Sequence, residues 1–259
     1  MMIWMVNGVS IVIPTYNERK NITVLISQIQ NILRGKVDFE IIIVDDNSPD
    51  GTWMEAMRLA SRYGNIRVRR RINKRGLASA IIEGIAMAKY DSVIVMDADL
   101  QHPPEVIPNI IKGLDNADIV IASRYIKGGG TTGWSPARRI ISFGATMIAR
   151  LLFPKICRIR DPMSGFFGVH KYVLRGVRLN AIGFKVLFDI LAKARYGKVL
   201  ETPYIFRARL YGESKLSKKT MREFLKHVVL LFIQTESKVV LPILVIILSI
   251  VGIAMSMFV

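Results

Sequence analysis

Residues 93–104 read VIVMDADLQHPP, an apolar run that ends in two carboxylates, Asp97 and Asp99, with Gln101 just beyond. Alternate residues of an extended chain point the same way, so Asp97 and Asp99 project together from the end of a buried strand. Open α/β sheets place their ligands at the carboxyl ends of their strands. Two bare carboxylates about 4 Å apart would repel by roughly 4 kcal/mol at an effective dielectric near 20. A hard divalent cation removes that repulsion, and Mg²⁺ usually takes one or two carboxylates and completes its shell with water and substrate phosphates. The stretch therefore predicts a metal-bound diphosphate site. The bland alternative is an Asp-rich turn at a strand end, which Asp-x-Asp alone does not exclude.

Working outward, apolar strands alternate with helical patterns. Val9–Pro14 reads as a strand, and Ile22, Leu25, Ile26, Ile29 and Leu33 follow at helical spacing. Glu40–Val44 is a second strand, ending in Asp45-Asp46-Asn47-Ser48-Pro49-Asp50-Gly51, turn chemistry that leads into a helix through Trp53, Met57 and Ala60. Ile66–Arg70 reads as a short third strand, Gly76–Ala88 as a helix, 93–97 as a strand, a helix starts near Pro104, and Asp118–Ser123 is another strand. Strands apolar on both faces, separated by helices, predict an α/β fold: a parallel sheet with helices on both sides. Asp45-Asp46 suits either a nucleoside contact or a plain Asx turn.

Net charge is +17 over 259 residues, which suggests a polyanionic partner: nucleic acid, an anionic membrane or a phosphorylated substrate. No stacking-aromatic pattern accompanies the basic runs, which argues against nucleic acid. The single cysteine, Cys157, allows no internal disulfide and has no neighbouring His, so it reads as structural. The N-terminus lacks the charged region and cleavage site of a signal peptide.

Residues 239–259 carry no charge and would span roughly 32 Å as a helix, close to the thickness of a bilayer's hydrocarbon core. They predict a transmembrane helix. The apolar run reaches the last residue, as it would in a chain cut from one with more spans. Lys and Arg are abundant just before it, which puts the preceding domain in the cytoplasm. Two amphipathic basic stretches, 138–153 and 217–235, suit helices lying on the membrane surface. Gly128–Gly133, GGGTTG, matches a dinucleotide fingerprint. Trp134-Ser135-Pro136 separates it from the next helix, so it is expected to be a mobile loop over the site. Arg207–Lys215 is a Gly-containing loop whose cations suit phosphate oxygens.

Six segments taken together resemble the family-2 glycosyltransferases with a GT-A fold, and within them the polyprenol-phosphate hexosyltransferases, the dolichol-phosphate mannose synthase group above all. They are IVIPTYNE (11–18), IVDDNSPDGT (43–52), VMDADLQHPPE (95–105), SRY (123–125), DPMSGFF (161–167) and GESKLSKK (212–219). The resemblance implies a GT-A catalytic domain, expected over 1–216, and the amphipathic and charge-free stretches after it are expected to form a juxtamembrane helix over 217–236 and an anchor over 237–259. It implies a GDP-mannose donor, Mg²⁺ or Mn²⁺, a dolichyl or other polyprenyl phosphate acceptor and a lipid bilayer partner. Pro14, Tyr16, Glu18, Val44 and Asp46 would hold the guanosine. Asp97, Ala98 and Asp99 would bracket metal and diphosphate, with Gln101 as a further metal ligand. Arg124, Arg138 and Ser142 would face the acceptor phosphate, and Arg209 and Lys215 the donor phosphates. Asp99, Arg124 and Arg138 would carry the chemistry, whereas Asp189, where other members keep a base, is expected to have no chemical role. The Gln-x-x-Arg-Trp motif of the processive polysaccharide synthases is absent. The residues alone do not separate GDP from UDP donors.

Overall fold

The computed structural model describes residues 6–73, 75–179 and 185–208, and the backbone of a helix over 218–235, with its side chains from 226 on. The expected transmembrane segment, together with Arg209 and Lys215, lies outside the described residues. Among the described residues no helix is long and apolar enough to cross a membrane.

In chain order the elements are β1 (Val9–Thr15), α1 (Arg19–Leu33), β2 (Phe39–Asp45), α2 (Thr52–Tyr63), β3 (Ile66–Arg70), α3 (Leu77–Met87), β4 (Ser92–Val95), α4 (Ile107–Leu114), β5 (Ile119–Ser123), β6 (Gly130–Thr131), α5 (Pro136–Leu152), β7 (Phe167–His170), α6 (Val186–Lys193), β8 (Val199–Pro203), β9 (Ile205–Phe206) and α7 (Lys218–Thr235). Seven strands form one sheet in the order β3-β2-β1-β4-β7-β5-β8. All its pairings are parallel except those of β7, which runs antiparallel between β4 and β5. This architecture matches the α/β expectation apart from β7, whose Phe-Gly-Val-His sequence is too short for its period to show.

Alternation along β1 explains the two layers. Val9, Ile11 and Ile13 pack with α1, α2 and α4, whereas Val12 packs with α3 and α6 on the other face. Both layers are needed because a parallel sheet offers apolar side chains on both sides. Helix α3 lies so close to the sheet that a Cβ at Gly84 would fall 2.4 Å from Val12, so only glycine fits there.

The GGGTTG stretch departs from its expectation. Gly130–Thr131 pairs in parallel with Ile205–Phe206, so it is tied down as a strand rather than left as a free loop. Residues 199–206 form two strands, of which β8 joins the main sheet and β9 the small one.

Helix α5 follows the predicted amphipathic pattern with its apolar side turned outward: Ile140 is 72% exposed and Leu151 76%, with Phe143 and Ile148 also exposed. Its N-terminus is capped by Ser135, whose hydroxyl accepts from the Arg138 N–H, with Pro136 in the first turn. Helix α7 packs inward through Val228, Leu231 and Phe232, the last against Phe153, and leaves Val229 and Ile233 outward.

Candidate active site

Strands β2, β1 and β4 are neighbours, so the loops that leave their carboxyl ends lie side by side. Among the described residues, three non-glycine residues have left-handed backbone, and each lies in one of these loops: Asn17 (φ 60°) after β1, Asn47 (φ 55°) after β2 and Leu100 (φ 62°) after β4. Asparagine tolerates this region, but leucine there is a true outlier. Strain of this kind persists where surrounding structure over-determines the backbone, and it gathers at functional sites.

Pro14 and Val44 sit opposite each other in the β1–β2 register, and Val44 is wholly buried. Tyr16 is half-buried beneath the Arg75 guanidinium, 5.3 Å from the ring centroid. Glu18 accepts from the Asn21 amide at 2.6 Å. Asp45 serves as the Asx-type anchor of its turn, accepting from Thr15 and from the backbone and hydroxyl of Ser48. Asp46 accepts from Arg71 Nε at 2.6 Å and from the Gly76 N–H at 2.8 Å. Arg71 is itself buried and reaches Ser79 and the Gly76 carbonyl. It was not singled out from the sequence, because it is one of several arginines at the end of the stretch read as the third strand.

After β4, Asp97 is partly exposed, Asp99 and Ala98 are buried, and Asp99 Oδ1 accepts from the Gln101 N–H at 3.1 Å. Gln101 is held from both sides: its Nε2 donates to the Arg207 carbonyl and its own carbonyl accepts from the Arg207 N–H, both at 3.0 Å. With Nε2 so fixed, Oε1 is turned the other way. Among the described residues no group of three or more His, Cys, Asp or Glu forms a protein-only cage. Two carboxylates and an amide oxygen are an all-oxygen set of the kind that suits Mg²⁺ or Mn²⁺ sharing its shell with substrate oxygens.

His102, unremarked in the sequence reading, holds this loop. Its Nδ1 accepts the Asp97 N–H at 3.0 Å, which requires a neutral ring protonated at Nε2, and it stacks on Phe166 with centroids 5.2 Å apart. The 3.8 Å approach to the Asp97 carboxylate is therefore no ion pair. Burial, first, holds the imidazole down to about 4; Arg124 and Lys185 act in the same direction and Asp99 opposes them. The unfolded chain thus binds a proton at His102 below its ordinary range, near pH 6.5, while the folded chain does not until about pH 4. Stability contributed by the neutral ring is complete above that range and falls as the pH drops toward 4, by about 2 kcal/mol at pH 5. Urea denaturation of metal-free protein at pH 7 and pH 5 checks this; His102→Gln should remove most of the difference.

The end of β5 supplies Arg124, and the loop ahead of β7 supplies its partner. Arg124 Nε and Nη2 grip Asp161 at 2.8 and 2.7 Å, and the Arg124 N–H donates to the same carboxylate at 2.9 Å. Burial works against the guanidinium charge, but the Asp161 carboxylate outweighs it and raises the pKa. Arg124 is thus turned toward Asp161, a partner that the sequence reading did not assign. Arg138, on α5, lies over the Trp134 ring at 4.5 Å, and Trp134 Nε1 is a buried donor with no hydrogen-bond partner among the described residues. Ser142 accepts from the Tyr125 hydroxyl at 2.8 Å.

The segment Asp161–Gly165 connects these groups. Asp161 holds Arg124, the Met163 carbonyl accepts from Lys185 Nζ at 2.8 Å, and the Ser164 hydroxyl donates to the Ala122 carbonyl at 2.7 Å. A Cβ on Gly165 would meet His102 at 3.2 Å and Asp97 Oδ2 at 3.3 Å. Gly165→Ala should therefore displace the Asp97 carboxylate by a few tenths of an ångström. Misplacement on this scale is costly where reacting groups must align. An expected fall of about tenfold in turnover, with the thermal midpoint little changed, is read from steady-state rates and a melting curve.

Asp189 is buried in the first turn of α6, with Lys193 at 2.9 Å and His227 of α7 at 3.4 Å. That placement suits a structural link between the two helices.

The glycosyl transferase family 2 model matches residues 10–177. A dolichol-phosphate mannosyltransferase of Pyrococcus furiosus is 52% identical over 85% of this chain, a match that takes in 62% of that relative's length. The enzymes of the same description from Mycosarcoma maydis and Saccharomyces cerevisiae are 38% and 37% identical, each over 86% of this chain and over 78% and 86% of their own lengths. Among solved structures, a glucosyl-3-phosphoglycerate synthase of Mycobacterium tuberculosis in complex with Mn²⁺, UDP-glucose and phosphoglyceric acid has a TM-score of 0.64 at 17% identity, covering 88% of this chain and 79% of that one. The same enzyme with Mg²⁺ and UDP has a TM-score of 0.65 at 18% identity, covering 88% and 79%. At such identities the likeness establishes the fold.

Proposed function

Since the chain belongs to glycosyl transferase family 2, we propose that it transfers mannose from GDP-mannose to dolichyl phosphate, or a related polyprenyl phosphate, at the cytoplasmic face of a membrane. The observation that carries this reading is one loop, Asp161–Gly165, that joins both halves of the site: a Cβ on Gly165 would lie 3.3 Å from Asp97 Oδ2, and Asp161 grips Arg124. A carboxylate pair for a metal-bound diphosphate and a cationic cluster for a second phosphate are what such a transfer needs.

Asp97, Asp99 and Gln101 would hold Mg²⁺ or Mn²⁺, which supplies neutralising charge to the leaving diphosphate when bound. The loops after β1 and β2 would take the nucleoside, with Tyr16, Glu18 and the Arg71-braced Asp46 as its polar contacts. Val44, being core-buried, would shape that wall rather than hydrogen-bond. The acceptor, a lipid monophosphate, is already anionic at neutral pH and needs no strong base. The protein's work is to align it and to balance charge. Arg138 and the unpartnered Trp134 N–H suit the acceptor oxygens, with Ser142 adjacent and Arg124 lending its field from behind. Arg209 and Lys215, outside the described residues, are assigned to the donor phosphates. A single displacement with inversion follows, with no covalent intermediate on the enzyme.

The exposed apolar face of α5 suits a membrane surface, and the charge-free 239–259 segment an anchor. Both would bring a lipid headgroup to Arg138, near the start of α5.

A donor screen with a polyprenyl phosphate and Mg²⁺ or Mn²⁺ tests the proposal. GDP-mannose should be used at least about tenfold better than UDP-glucose or other UDP-sugars, a difference of roughly 1.4 kcal/mol. Chelation should abolish transfer. Preference for a UDP-sugar, or retained anomeric configuration in the product, would refute the reading.

A further inference from the structure

Glu201 is a charged residue in the middle of a strand. It follows Val199 and Leu200 in β8 and stands opposite Ile121 of β5 in the parallel register. Glutamate is depleted in strands, so strand preference does not explain it there. Its carboxylate does: Oε2 accepts the Arg160 N–H at 2.9 Å and Oε1 the Asp161 N–H at 3.0 Å. Two successive backbone donors on one carboxylate make charge-assisted bonds, shorter and stronger than neutral ones. They hold the chain where the Asp161–Gly165 loop begins.

We propose that Glu201 is a positioning residue for the acceptor side of the site, acting through Asp161 on Arg124. What Arg124 serves rests on the transferase reading above; the path from Glu201 to Arg124 does not. That path is continuous. Glu201 fixes the Asp161 backbone, and the Asp161 carboxylate takes the Arg124 N–H, Nε and Nη2 at 2.9, 2.8 and 2.7 Å. Arg124 directly follows β5, and β5 pairs with β8 from Ile119 to Ser123. Strand β8, the loop and strand β5 therefore close into a ring of which Glu201 is one side. Each member is placed by two routes, so the guanidinium is set before a ligand arrives. A charge already in place stabilises more than one that must be reorganised during reaction. The other end of the loop has its own tie to β5, the Ser164 hydroxyl donating to the Ala122 carbonyl at 2.7 Å. Loss of Glu201 should therefore leave the loop attached and loosen it at Asp161.

Two variants separate this role from a merely structural one. Glu201→Ala removes both bonds; Glu201→Gln keeps the length and one acceptor oxygen. Solvent exchange of the Arg124 Nε–H is followed by NMR on the full chain in detergent with isotope-labelled arginine. The signal is identified by its loss in the Arg124→Met, Asp161→Asn double variant. In the wild type this proton is buried and held by Asp161, so it should exchange slowly. Glu201→Ala should speed its exchange by about tenfold or more, and Glu201→Gln by less. In the same variants KM for a short-chain prenyl phosphate should rise by about fivefold or more, with KM for GDP-mannose within about twofold. A lower melting midpoint with the Arg124 exchange unchanged would overturn the proposal, and so would an equal rise in both KM values. If Glu201→Ala does not fold, Glu201→Gln decides by the same signal. Faster Arg124 exchange in a protein whose wild type transfers no mannose would sink the transferase reading and leave the positioning role standing.

Discussion

Replacing Asp99 by Asn should lower metal-dependent transfer by about a thousandfold while the protein stays folded. The substitution conserves shape, and its remaining Oδ1 can still accept the Gln101 N–H that Asp99 holds at 3.1 Å. What it removes is one of two negative charges that would fix a divalent cation. Groups that stabilise developing charge in a water-poor site are typically worth about 3–4 kcal/mol each, which gives the expected factor. Asp99 is 5% exposed, so its surroundings offer little water to take over. The check is a rate assay across Mn²⁺ concentrations beside a denaturation curve. Full activity in the variant would defeat the metal assignment; loss of activity together with loss of fold would point to a structural role instead.

Asp161→Asn should be the most destabilising single change at the site, at about 3–5 kcal/mol, because it leaves the Arg124 guanidinium buried without a counter-charge. Arg124 is 8% exposed and Asp161 fully buried. The pair is also joined through backbone, since Asp161 accepts the Arg124 N–H and its own N–H donates to Glu201 at 3.0 Å. A second substitution, Arg124→Met, made on top of the first, should recover most of the stability, since the cost lies in the orphaned charge and not in the missing bond. Activity should not return. Urea denaturation of both variants reads the first effect, and turnover the second. A double variant no more stable than Asp161→Asn would show that the cost arises from the loop and not from the charge.

The two halves of the site differed in how far they could be read from the chain. Strands β1, β2 and β4 are apolar runs that end in acidic or Asn-rich turns, so their order and the placement of Asp46, Asp97 and Asp99 were visible in the residues themselves. The positions that brace them were not. His102 was quoted within its motif, but a lone histidine carries no sign of its burial. Arg71 is one arginine among several in Arg67–Arg71, and only the approach of Asp46 and Gly76 distinguishes it. The Arg124–Asp161 pair spans 37 residues and the Lys185–Met163 contact 22, and no local period encodes either. Strand β7 escaped for a related reason: an antiparallel insertion depends on what lies on either side of it. The outward face of α5 was foreseen as amphipathic because three- and four-residue spacing survives whatever the helix packs against.

The reversed strand β7 has a consequence for how this protein can change. In a purely parallel sheet, only segments that follow a strand reach the ligand face. Because β7 points the other way, residues 161–166, which precede it, are delivered to that face between two neighbours that arrive in the ordinary direction. The wall made by the loops after β1 and β2 and this inserted wall therefore grow from different ends of their strands and can vary separately. On the function proposed above, changes at Pro162 and Met163, between the fixed points Asp161 and Ser164, would alter the inserted wall and leave the loops after β1 and β2 as they are.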